Sequence, residues 1–181
     1  MYLNSSGFCA IGRALNVPFQ LVHHWIKKAG EIVEEGISKI KNESENIAIL
    51  EMDELDSFIQ KNTGDCAVWL AVDRNRNKIT AYHIGGGNSY DAVYLMDKVK
   101  YHNIDIIATD GNYTYDKHIP PNTKHIITKS ETCFVEEKNS SLHAMLARFN
   151  RKSKRYSQCP IMFRQAVSMW VYKDLALSIY I

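Results

Sequence analysis

The chain predicts an α/β fold, a mixed sheet flanked by helices and preceded by a small helical segment. Three features point there. Strand-like runs at residues 47–58, 66–73 and 78–84 are separated only by short polar stretches, Lys-Asn-Thr-Gly-Asp and Arg-Asn-Arg-Asn, which imply antiparallel hairpins. Two later runs, 104–109 and 124–128, are β-branched-rich and lie beyond a stretch with helical spacing. Ahead of all of these, residues 6–28 read as two short helices across a turn.

In order, residues 6–15 form the first helix, Asn16-Val17-Pro18 the turn, and residues 18–28 the second helix, with Gly30 as its stop. Asn16 suits the tight turn because Asn tolerates the left-handed conformation. Ile11, Leu15, Val17, Leu21, Val22 and Trp25 are the inward positions. Phe19, Gln20, His23, His24 and Lys27 are then free to face a DNA major groove, although an ordinary helical hairpin has the same spacing. Residues 31–46 read as a charged helix and linker, so the expected organisation is a helix-turn-helix segment (1–30), this connection (31–46), a sheet domain (47–170) and an apolar tail (171–181).

Within the sheet domain, residues 67–72 are apolar on both faces, as a central strand requires. Gly85-Gly86-Gly87 lacks the lysine and spacing of a phosphate loop and reads as a turn. Asn88 or Ser89 caps a helix to about Lys100 that packs through Ala92, Val93, Leu95, Met96 and Val99. The strand at 104–109 stops at Asp110-Gly111-Asn112. A turn-rich stretch with Tyr113, Tyr115 and Pro120-Pro121, holding a short helix, leads to the strand at 124–128. A last helix has Val135, Leu142, Met145, Leu146 and Phe149 as its apolar stripe, with Glu136, Asn139 and His143 on its flank. Three strands, helix, strand, short helix, strand, helix is the ribonuclease-H-like order.

Three acids stand out against this frame. Asp53 interrupts a mostly apolar strand, Asp110 ends another, and Glu136 opens the last helix. Acids on a buried strand are costly unless neutralised, and a divalent cation is a common solution. In this strand order the three fall on elements that meet at one edge of the sheet. There they would hold a pair of metal ions that activate water or a 3′-hydroxyl at a phosphodiester.

Net charge is only +2, but it is unevenly spread. Residues 31–56 carry nine acids against two lysines, whereas Arg148, Arg151, Lys152, Lys154 and Arg155 place five basic residues within eight, a phosphate-contacting patch or a solvated helix end. Cys9, Cys66, Cys133 and Cys159 show no metal-ligand spacing and read as reduced thiols of an intracellular protein. No secretory leader opens the chain, and no apolar run is long enough to span a bilayer. Trp69, Trp170, Tyr82 and Tyr94 are expected in the core, and His83, His102, His118 and His125 at the surface or satisfied.

Glu51-Met52-Asp53-Glu54, Thr109-Asp110-Gly111 and Glu136, followed by Leu146-Ala147-Arg148-Phe149-Asn150-Arg151-Lys152-Ser153, resemble the transposases of the IS-one insertion-sequence family. The opening Met1-Tyr2-Leu3-Asn4-Ser5-Ser6-Gly7-Phe8 and the helix pair to Gly30 are also similar to that family. The resemblance implies that Asp53, Asp110 and Glu136 are an Asp-Asp-Glu set for Mg²⁺, with Mn²⁺ as a substitute. It implies cleavage at the element's ends and attack of the freed 3′-hydroxyls on target DNA. The implied partners are double-stranded DNA, as terminal inverted repeats and target, and a second copy of the chain on paired ends. The implied location is cytoplasmic and nucleoid-associated, with no membrane. Asp56 and Asn112 stand where the family commonly has aromatic residues, and Lys138 where histidine is expected. The family's zinc-ligand segment would precede the first helix of this chain, and residues 171–181 match nothing in the family, as in a truncated or decayed copy. A catalytically silent, DNA-binding repressor and a structure-specific nuclease of the same fold are the alternatives.

Overall fold

A computed structural model describes residues 1–39, 43–58, 65–115, 118–146 and 159–173. The chain forms two compact units, one of residues 1–41, 58–63 and 141–181, the other of residues 42–57 and 64–140.

The second unit holds a five-stranded sheet of order β3-β2-β1-β4-β5. The strands are β1 (Asn46–Phe58), β2 (Asp65–Asp73), β3 (Lys78–Gly85), β4 (Asn103–Thr109) and β5 (Lys124–Ile127). β2 and β3 pair antiparallel, as their short polar connection requires, whereas β1 pairs parallel with β4, and β4 parallel with β5. Between β3 and β4 runs α3 (Ser89–Val99), the crossover that a parallel β4 needs. The result is the ribonuclease-H-like sheet. Val68, Trp69, Leu70, Ala71 and Val72 of β2 are buried on both faces. Ala92, Leu95, Met96 and Val99 of α3 pack on Leu50, Met52, Trp69, Ile107 and Tyr115 in one core.

The turn before α3 is set by side-chain chemistry. Asn88 caps the helix and exchanges hydrogen bonds with the first turn, its own N–H donating to Asp91. A Cβ on Gly85 would overlap the Asp91 carboxylate, so glycine is required there by close approach. Asp91 also meets His83 at 2.9 Å, which satisfies that histidine. Between β4 and β5 the expected short helix is absent among the described residues. The Asn112 N–H donates to the Asp110 carboxylate, and the Thr114 N–H and hydroxyl donate to the Asn112 side-chain oxygen, closing successive turns there instead.

The first unit contains α1 (Phe8–Leu15), α2 (Phe19–Lys39) and α5 (Pro160–Val171). Asn16 is left-handed, φ 54° and ψ 45°, at the α1–α2 turn. Two expectations fail here. Gly30 does not stop α2, which continues to Lys39; an interior glycine costs a helix only about 1 kcal/mol. It is used for packing instead, since a Cβ at Gly30 would lie 2.7 Å from the Gln165 Cβ of α5. The inward face is also narrower than expected. Ile11 and Val22 are buried, but Leu15, Leu21 and Trp25 are exposed, because α2 buries the row Val22, Gly30 and Val33, and Leu21 and Trp25 project away from it.

Helix α5 was not anticipated. Its signals are Pro160 at the first position and the buried series Met162, Phe163, Ala166, Val167 and Trp170. The remaining helix, α4 (Cys133–Met145), buries Val135 and Leu142 as expected, with Leu146 just beyond it also buried; Met145 is 37% exposed. Phe149 lies outside the described residues. Trp69 and Trp170 are in the core as expected, but Tyr94 stacks on His83 at the surface and is 59% exposed.

Candidate metal centre

The sheet's register builds the site. β1 and β4 run parallel with Met52 opposite Thr109, so the next residues, Asp53 and Asp110, are neighbours where β4 ends. Adjacent strands lie about 4.8 Å apart. Gly111 follows with φ 104°, a conformation that favours glycine, so Asp110 lies between this turn and the end of β4, an interior strand beside β1. Its carboxylate also accepts from the Asn112 N–H at 3.1 Å.

Asp53, Glu54 and Asp110 each offer a carboxylate oxygen, and these oxygens all lie within 4.8 Å of one another. Successive strand residues point to opposite faces. Asp53 accordingly faces α4, where the Asn139 amide donates to it at 2.8 Å. Glu54 reaches the cluster from the other side of β1, where it accepts from Asn112 at 2.5 Å and from the Tyr115 hydroxyl at 3.0 Å. Tyr115 is fully buried and packs edge-on against Trp69, so the acid cluster is tied to the hydrophobic core.

The electrostatics match crowding without a countercharge. Burial, then the neighbouring Glu54 and Asp110 charges, push the Asp53 carboxyl up to about 7. Burial also raises Glu54, against the bonds from Asn112 and Tyr115. The Tyr115 phenol is held well above its ordinary value by burial and by the Glu54 charge. Hard carboxylate oxygens at this spacing are the donor set that Mg²⁺ or Mn²⁺ takes. Asn139 is buried, and its Oδ1 meets no hydrogen-bond partner among the described residues, leaving a further oxygen beside Asp53. The residues fit a divalent cation.

Of the three acids singled out in the sequence, two are brought together. Glu136 lies outside the cluster, exposed on the first turn of α4, where it accepts from the Thr132 hydroxyl at 3.2 Å. Asn139 shares its flank three residues on, and such pairs sit about 5–6 Å apart. Glu54 was missed as a site residue because strict alternation would send it away from Asp53. Its signal was the acid pair Asp53-Glu54 in an otherwise apolar strand. Asp56 is exposed, so its charge faces solvent, and Asn112 donates to Glu54.

Gln20, His23, His24 and Lys27 are all exposed on α2; His23 packs edge-on with Phe8, and Lys27 pairs with Glu31 at 3.9 Å. Arg148, Arg151, Lys152, Lys154 and Arg155 lie outside the described residues. Among the described residues no helix is long and apolar enough to cross a membrane.

Comparison with known proteins bears on the whole of the sheet unit's strands and beyond. A family profile for IS1 transposase matches residues 46–175. The chain is 29% identical over 121 residues to insertion element IS1 2 protein InsB of Escherichia coli (strain K12), covering 67% of this chain and 72% of that protein. It is 23% identical over 127 residues to insertion element iso-IS1n protein InsB of Shigella dysenteriae, covering 70% of this chain and 96% of the relative. A chain from the cryo-electron microscopy structure of the simian T-cell lymphotropic virus intasome in complex with PP2A regulatory subunit B56 gamma aligns with a TM-score of 0.49 at 14% identity, over 72% of this chain and 50% of that one. The profile covers more than half of the chain, which therefore belongs to the IS1 transposase family, the IS-one family of the sequence motifs.

Proposed function

We propose that this chain is an Asp-Asp-Glu transposase that cuts DNA at the ends of an insertion element and joins the freed strands to target DNA. The observation that carries it is the meeting of Asp53, Glu54 and Asp110 within 4.8 Å at the end of β4, with Asn139 of the Glu136 helix bonded to Asp53. Asp53, Asp110 and Glu136 are the residues proposed to hold Mg²⁺, or Mn²⁺ in its place, with Glu54 adding a carboxylate beside Asp53. When bound, the cations activate the attacking oxygen and neutralise the leaving one. The chain's own residues hold Asp53 through Asn139, Glu54 through Asn112 and Tyr115, and Asp110, where β4 ends, through the Asn112 N–H.

In the first step water displaces a 3′-oxygen from phosphorus. In the second that 3′-hydroxyl displaces another from target DNA, so one phosphodiester forms as one breaks. Gln20, His23, His24 and Lys27 on α2 and the basic run Arg148, Arg151, Lys152, Lys154 and Arg155 are proposed to contact double-stranded DNA, residues 1–30 as a helix-turn-helix segment and residues 47–170 as the catalytic body. A homodimer on paired ends is proposed for the working complex.

A Mg²⁺-dependent nicking and strand-transfer assay on duplexes bearing the element's inverted repeats tests this. Asp53→Asn should abolish nicking and leave duplex binding intact; a mutant that still nicks contradicts the assignment. The position of Glu136 outside the acid cluster favours one second reading, a DNA-binding copy that occupies ends without cutting. Wild-type binding without nicking would support it, and cutting without joining would support a nuclease.

A further inference from the structure

Glu51 lies two residues before Asp53 on β1 and is fully buried. A buried carboxylate is tolerated only when it is paired and hydrogen-bonded. Glu51 is both. One oxygen accepts from the Arg74 Nε at 2.6 Å, and the other accepts from the backbone N–H groups of Phe134 and Val135 at 2.8 and 2.9 Å. Those amides belong to the first turn of α4, where N–H groups lack intrahelical partners and the helix end carries partial positive charge. Arg74 completes the tie. Its terminal nitrogens donate to the Glu131 carboxylate at 2.8 Å and the Glu131 carbonyl at 2.5 Å, in the 3₁₀ turn Lys129–Glu131 that leads into α4. Its own N–H donates to the Ile49 carbonyl of β1 at 3.1 Å.

We propose that Glu51 and Arg74 are positioning residues for the metal centre: they fix the start of α4 on β1 and so set where Glu136 and Asn139 stand against Asp53. The proposal rests on the reading of Asp53, Asp110 and Glu136 as cation ligands. An ion pair with a buried carboxylate is weak evidence for stability as such, because desolvation offsets its attraction; the role proposed for this one is to select one arrangement. Here the arrangement specified is the docking of the helix that carries Glu136, and Glu51 shares the strand face of Asp53, which Asn139 contacts.

The test uses the full chain with Glu51→Gln, Arg74→Met, Arg74→Lys and Asp53→Asn. It measures Mn²⁺ affinity by calorimetry, thermal midpoint, duplex affinity, and the nicking rate at saturating Mn²⁺ and DNA. Glu51→Gln and Arg74→Met should weaken Mn²⁺ binding roughly 10–100-fold, the range for residues that orient ligands, and slow nicking even at saturation with duplex affinity unchanged. Arg74→Lys should recover part of the loss. Should Arg74→Met fail to fold, Glu131→Gln removes charge from a partner that is 40% exposed and should show the same losses more weakly. Variants with a lowered midpoint but wild-type Mn²⁺ affinity and saturated rate would overturn the proposal and leave the metal centre standing. If Asp53→Asn also keeps wild-type Mn²⁺ binding and nicking, the metal-centre reading itself falls.

Discussion

Asp53 carries the account at the scale of single residues. Without a cation, three close carboxylates oppose folding, and burial and its neighbours hold the Asp53 carboxyl near 7. Asp53→Asn should therefore stabilise the metal-free protein by about 1 kcal/mol, or about 2–4 °C in thermal midpoint, and should abolish the rise in midpoint that the proposed site predicts for the wild type on adding Mg²⁺. Calorimetric scans with and without Mg²⁺ check both halves; a lower midpoint for the metal-free mutant would count against crowding. Asp53 and Asp110 could be found in the sequence because the order of elements puts them on the first strand and at the end of the fourth, whereas an acid in an apolar strand is not enough alone: Glu51 of the same strand is held by Arg74 and the start of α4. The partners of these acids could not. Nothing in residue type ties Asn139 to Asp53, or Asn112 and Tyr115 to Glu54, since those contacts join segments dozens of positions apart. Cysteine gives a second check at this scale. Burial pushes the Cys66 thiol up to about 11, while Cys9, Cys133 and Cys159 are exposed. Alkylation at neutral pH should modify those three first and Cys66 only on unfolding; early labelling of Cys66 would contradict its burial.

Among the elements, strands were more legible than helices. Their apolar runs and polar turns place all five strands to within a residue or so at each end, while the parallel pairing that sets Asp53 beside Asp110 is seen only in the structure. Helices failed where local rules conflict with packing. Gly30 looked like a stop, yet its lack of a side chain is what lets Gln165 approach. Glycine-to-alanine in a helix ordinarily gains stability, but Gly30→Ala should destabilise by about 1–3 kcal/mol because the buried Gln165 Cβ is in the way. Urea unfolding measures this, and a stabilised Gly30→Ala would show that α5 does not dock on α2 as described. Helix α5 is hard to read from the sequence because its apolar face directly follows the basic run 148–155 and carries buried Gln165 and Ser168 among its apolar residues.

At the scale of the whole molecule, the sheet unit holds the acids, and DNA contact is proposed for α2 and the basic run. The two roles should separate experimentally. Arg151→Ala with Lys152→Ala should flatten the dependence of log affinity on log salt by roughly two, with the chemistry per bound duplex unchanged. An unaltered slope would place the phosphate contacts elsewhere. Acids from β1, the end of β4 and α4 are proposed to hold one pair of cations between them. Anomalous diffraction from crystals grown with Mn²⁺ measures that directly. Mn²⁺ peaks at the Asp53 and Asp110 carboxylates, with Glu136 among the ligands, are expected; Mn²⁺ bound elsewhere, or not at all, would contradict it.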